Sequence, residues 1–121
     1  MHAPRLDEVD FVRVLGGPFA DGAELRDAVE MIVNGERLSE LLGGLPLDVS
    51  EVRNDLAEAW LWGGRDVTVG RCVCGDVGCI GAEAQIVRRG SVVEWELPSI
   101  GRTLHLNGTE LAATLRRALA D

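Results

Sequence analysis

Three cysteines lie close together in the stretch RCVCGDVGC, at Cys72, Cys74 and Cys79. Cysteine sulfurs bind zinc, carry out redox chemistry, form disulfides or pack as small apolar groups. Side chains two residues apart in a strand share a face, so Cys72 and Cys74 point the same way. A turn through Gly75 and Gly78 then returns Cys79 beside them. The spacing predicts that three sulfurs converge at one hairpin.

A zinc site built on these sulfurs needs a fourth ligand. His105 is the best candidate, because Leu104 and Leu106 flank it on the opposite strand face; Asp76 or water are alternatives. The C-x-C-x4-C spacing lacks the paired C-x-x-C motifs typical of zinc domains, and free cysteine is often buried. We therefore expect packing and no cofactor, with zinc at Cys72, Cys74, Cys79 and His105, or a Cys74–Cys79 disulfide or redox role, as the alternatives.

Two tryptophans lie two residues apart in WLWGG, at Trp60 and Trp62. An extended backbone would present both on one face, as in residues that bind a protein partner. Core packing is the favoured interpretation of the pair, because the chain has only two Phe and no Tyr to fill its interior. Pairs of arginines at Arg88–Arg89 and Arg116–Arg117 are interpreted as a solvated turn and a helix end.

The elements that position these residues follow from hydrophobic periodicity. Alternation predicts strands, and a repeat of three or four residues predicts helices. Gly43 is expected to end the helix before it, Ser50 to cap the middle helix, and Asn107 to cap the last one. The predicted elements are strands at 10–15, from 28, at 66–73, at 82–86 and at 92–98, a short helix ending before Gly43, a helix at 51–60, and a strand that leads into the C-terminal helix.

This order of elements predicts a single α+β domain over residues 1–121. The sheet is antiparallel, with a central meander at about 66–98. The C-terminal helix and one or two helices from the first half cover one of its faces.

The excess of acidic residues indicates which classes of partner the chain can bind. Twenty acidic and twelve basic side chains give a net charge of −8, which disfavours nucleic acid and anionic membranes and favours a basic protein partner. No secretory signal and no long apolar run is present, so we expect a cytoplasmic protein whose thiols stay reduced.

The hairpin, with the flanking stretches VEMIVNGERLSELL and LHLNGTELAATLRRAL, resembles a family of small uncharacterised bacterial proteins, mainly actinobacterial, built around C-x-C-G-x-x-G-C. The specific match is Cys74, Gly75, Gly78 and Cys79, preceded by Cys72. Where family members often carry a large aromatic after the last cysteine, this chain has Ile80. The resemblance implies a fold and a bacterial source, and no activity.

Catalytic signatures are missing from the sequence: no Walker loop, H-E-x-x-H motif or dinucleotide fingerprint occurs. An enzyme built on His105 and Cys79 has no support from their spacing. The sequence therefore predicts a non-enzymatic interaction or inhibitor (immunity-type) domain. The alternative is a metal-stabilised or thiol-redox module centred on the cysteine hairpin.

Overall fold

The computed structural model describes residues 5–16, 26–71 and 81–120. Its antiparallel sheets and short helices confirm the α+β class and the C-terminal helix. The elements are β1 (Val9–Gly16), β2 (Arg26–Val33), β3 (Glu36–Arg37), α1 (Leu38–Leu42), β4 (Leu47–Asp48), α2 (Val49–Glu51), a π-helical turn (Val52–Leu56), α3 (Ala57–Trp62), β5 (Gly63–Thr68), β6 (Glu83–Arg89), β7 (Val92–Leu97), a 3-10 turn (Pro98–Ile100), β8 (Arg102–Asn107) and α4 (Gly108–Leu119).

The predicted meander is present as β5-β6-β7-β8, each strand antiparallel to the next. Its first strand begins at Gly63 and ends at Thr68, earlier than the predicted 66–73, and it contains a bulge between Gly64 and Val67. A bulge shifts the alternation by one residue, so a period of two cannot locate the start of this strand. Cys72 and Val73 lie outside the described residues.

The first two strands form a second sheet instead of joining the meander. β1 pairs with β2 along its whole length, from Val9 opposite Val33 to Gly16 opposite Arg26. The short strands β3 and β4 also pair with β2. The strands predicted at 10–15 and from 28 therefore exist, but they belong to a separate four-stranded sheet.

The middle helix differs from its prediction at both ends. Asp48, not Ser50, is the N-cap: its backbone is extended, and its Oδ1 accepts a hydrogen bond from the Ser50 N–H at 3.0 Å. Ser50 is already inside the first helical turn. After the π-helical turn the helix continues to Trp62, two residues beyond the expected end.

One hydrophobic core joins both sheets and the helices. From the meander, Val93, Trp95 and Leu97 are fully buried, as their alternation predicts. Leu111 and Leu115 of α4 pack into the same core, and the Asn107 side chain caps this helix by accepting from the Glu110 N–H at 3.0 Å, as predicted.

Helix α4 also lies along the outer edge of β1. The Phe11 N–H donates to Thr114 Oγ1 at 2.9 Å, and Arg13 Nε donates to the Ala118 carbonyl at 2.8 Å. A free strand edge invites pairing with other chains, so this helix protects part of the first sheet from such pairing.

Candidate functional site

The two tryptophans predicted as partner-binding residues point in different directions. Trp60 is 2% exposed and stacks on Phe11, with ring centroids 5.7 Å apart, whereas Trp62 is 61% exposed. The segment is helical, and residues two apart on a helix lie on nearly opposite sides. The two side chains therefore do not share a face, which an extended backbone would have given them, and Trp60 belongs to the core, as the core-packing interpretation expects.

Trp62 is accompanied by Arg88 of β6. The Arg88 guanidinium carbon lies 4.4 Å from the centroid of the Trp62 ring, which is a cation–π contact. Its Nη1 also donates to the Leu61 carbonyl at 3.1 Å, so the guanidinium group is held in place by the same helix end. We call Trp62 and Arg88 together the Trp62 patch.

A glycine at the helix-to-strand junction places Trp62 at the surface. Gly63 has φ of +125°, and a Cβ atom there would lie 3.0 Å from the Ile86 carbonyl oxygen. Only glycine adopts this backbone easily, so the chain leaves α3 and enters β5 without an intervening loop. Gly63 pairs with Val87, which brings the neighbouring Trp62 level with Arg88.

Arg88 was expected to lie in a solvated turn, and its contact with Trp62 was not predicted from the sequence. In the structure Arg88 is half-buried and in contact with an aromatic ring, while Arg89 is exposed and paired with Glu94 at 3.1 Å. The alternation of β6 carried a signal, because Arg88 continues the inward series of Ala84 and Ile86.

The second candidate region is the base of the cysteine loop. The metal or redox residues Cys72, Cys74 and Cys79 lie outside the described residues, but the segments on both sides of them are described. The Val69 N–H donates to the Ala82 carbonyl at 2.9 Å, and the Ala82 N–H donates to the Gly70 carbonyl at 3.1 Å. The two ends of the loop therefore meet.

Glycines make this closure possible. A Cβ atom at Gly81 would overlap the Gly70 carbonyl oxygen, and one at Gly44 would overlap the Arg71 carbonyl oxygen. Leu45 and Arg71 exchange backbone hydrogen bonds of 2.8 and 2.9 Å. Three backbone segments thus cross in direct contact at the base of the loop.

A cleft of about 280 Å³ opens beside this base. Among its described lining residues, Arg71 carries the one charged side chain, and its guanidinium is paired with the Glu51 carboxylate. The Arg71 side chain is only 10% exposed, so this ion pair supports the base of the loop. It leaves no general acid or base facing the cleft from the described residues.

His105, the predicted fourth zinc ligand, lies away from the loop base. His105 lies beside Glu94 in the sheet, and Glu94 lies beside Val87. Val87 follows Gly81 by six residues, which is about 20 Å of extended chain. The His105 Nε2 lies 3.8 Å from Glu94 Oε1 on the outer face of the meander. The fold does not bring His105 to the base of the loop.

Comparison of this chain with protein-family models, curated proteins and solved structures finds no match. Among residues 5–16, 26–71 and 81–120, no three His, Cys, Asp or Glu side chains are placed to hold a metal ion. In that same part of the chain, every helix is too short or too polar to cross a bilayer.

Proposed function

We propose that this chain is a non-enzymatic protein-interaction domain of the inhibitor or immunity type, which docks through the Trp62 patch. The observation that supports this most strongly is the exposure of Trp62 itself, 61%, beside an arginine whose position is fixed. Tryptophan and arginine are the residues most enriched in the energetic centres of protein interfaces. Because both side chains are already positioned, their ordering on binding costs little conformational entropy.

The partner is a protein of net positive charge in the cytoplasm. A chain with net charge −8 attracts a basic protein over long range and repels polyphosphate and anionic lipid. The resemblance to small bacterial proteins supports a bacterial setting for this interaction.

A capture experiment with matched variants tests this function. The immobilised chain should retain a partner from bacterial lysate at low salt, and Trp62→Ala should lose it. Leu15→Ala is the control, because Leu15 is 66% exposed on the other sheet. Raising the salt from 0.1 M to 1 M should weaken capture, because the Debye length falls from about 10 Å to about 3 Å. Capture that is unchanged by Trp62→Ala would contradict the proposal.

The base of the cysteine loop supports a second candidate, a metal-stabilised or thiol-redox module. The described segments on either side of Cys72, Cys74 and Cys79 meet at Gly70 and Gly81, which is the support that this candidate has.

Elemental analysis of protein purified without a metal-binding tag distinguishes a metal-binding role of the cysteines from a packing role. We expect well under one zinc per chain and a cost of about 1 kcal/mol for Cys79→Ser, the usual effect of a point change. Stoichiometric zinc, a melting temperature lowered by chelation, and a loss of several kcal/mol for Cys79→Ser would instead establish the metal module.

A further inference from the structure

The Trp62 patch contains a positive charge that has no carboxylate partner among the described residues. Four other arginines, Arg13, Arg71, Arg89 and Arg117, each lie within 4.0 Å of a described carboxylate. Arg88 has no such neighbour in the described part of the chain, a property that it shares with Arg37, Arg65 and Arg102 among others. Arg88 differs from these in that its guanidinium group is held in place. Its partners there are a carbonyl oxygen and an aromatic face.

The guanidinium group of Arg88 therefore has hydrogen-bond donors that no group in the described part of the chain accepts. Arginine carries five N–H donors, and one nitrogen, Nη1, is bound to Leu61. A carboxylate is the protein group that fits the guanidinium fork with two parallel hydrogen bonds. The exposed Trp62 ring beside it offers an apolar surface to the neighbouring side chain of the same partner.

We infer that the Trp62 patch recognises an aspartate or glutamate of the partner that lies next to an apolar side chain. This inference rests on the proposed function and adds the chemistry of the contact. The negative net charge of the chain attracts a basic protein over long range, whereas the Arg88 guanidinium group donates hydrogen bonds to one carboxylate of that protein. This contact, between a cation of the acidic chain and an anion of the basic partner, fixes the register of the interface. A partner without the acidic group leaves Arg88 unpaired.

Selection from a displayed library of random twelve-residue peptides tests the inference with a defined probe. Peptides are selected on the folded chain and counter-selected on Trp62→Ala. We expect the retained peptides to be enriched in Asp or Glu adjacent to an apolar residue. Replacing that acid by its amide in a synthetic peptide should weaken binding to the wild-type chain by about 10- to 100-fold.

Arg88→Gln and Arg89→Gln form a matched pair for the protein side. Both remove one positive charge from neighbouring positions, but Arg89 already has Glu94 as its partner. Arg88→Gln should lower the affinity for the acidic peptides by the same factor as replacing the peptide acid by its amide. Arg88→Lys should retain part of that affinity, and Arg89→Gln should change it little.

The outcomes separate the two proposals. Peptides that depend on Trp62 but are neutral or basic would overturn the acid recognition and leave the interaction function standing. Equal effects of Arg88→Gln and Arg89→Gln would also overturn it. If no peptide depends on Trp62, both the inference and the role of the Trp62 patch are wrong.

Discussion

Asp7 and His105 are joined by two hydrogen bonds although 98 residues separate them. The Asp7 N–H donates to the His105 carbonyl at 2.8 Å, and Asp7 Oδ2 accepts from the His105 N–H at 2.8 Å. The other carboxylate oxygen of Asp7 accepts from Asn34 Nδ2 at 2.8 Å, in the turn between β2 and β3. One carboxylate therefore ties the edge of the meander to the first sheet.

Replacing Asp7 tests this connection. Asp7→Ala removes the acceptors of two hydrogen bonds and should lower the free energy of unfolding by about 1–2 kcal/mol, since the carboxylate is half-exposed. Asp7→Asn keeps one acceptor oxygen and should lose less. Urea unfolding measures both, and an Asp7→Ala chain as stable as the wild type would show that the contact contributes nothing.

Trp60 and Trp62 should respond in opposite ways to truncation. Trp60→Ala opens a cavity between Phe11 and Trp95 and should cost about 3–5 kcal/mol. Trp62→Ala removes only a cation–π contact at the surface and should cost less than about 1 kcal/mol. Thermal unfolding of the two variants distinguishes them, and similar losses would contradict the assignment of Trp60 to the core and Trp62 to the surface.

The buried carboxylate of Glu30 depends on Ser39. Glu30 is 2% exposed and accepts hydrogen bonds from the Ser39 hydroxyl and from its N–H. Ser39→Ala leaves a buried carboxylate with one donor fewer and should cost about 1–3 kcal/mol.

Ser50→Ala is the matched control for this substitution. The Ser50 hydroxyl also donates to a carboxylate, that of Asp48, but this pair is exposed. Its loss should cost no more than about 0.5 kcal/mol. Chemical denaturation of both variants gives the comparison, and an equal cost would show that burial of Glu30 does not strengthen its dependence on Ser39.

Gly81 and Gly70 provide a paired test of the loop base. Gly81→Ala forces a methyl group into the Gly70 carbonyl oxygen and should cost about 1–3 kcal/mol. At Gly70 an added methyl group would lie 3.4 Å from Leu42 Cδ1, an ordinary contact, so Gly70→Ala should be tolerated. The melting temperatures report the difference. Two variants of equal stability would mean that the segments separate without cost.

Local patterns in the sequence were enough to predict the meander and the C-terminal helix. The alternation of Val93, Trp95 and Leu97 defines a buried strand face, because successive side chains of a strand point to opposite faces and only one face can meet the core. Gly43 and Asn107 mark helix ends through interactions within one helical turn, and both predictions are confirmed. The acidic net charge, which guides the proposed partner, is also fixed by composition.

The tertiary structure decided what depends on distant contacts. The strands from Val9 and from Arg26 form their own sheet because pairing partners are chosen by burial against the whole core, which periodicity does not report. Trp60 and Trp62 separated because the helix continued to Trp62, so that the helical repeat and not strand alternation set their directions. Arg88 reached Trp62 only through the pairing of β5 with β6. The cysteine stretch separates these two strands in sequence, so no local pattern joins the two residues.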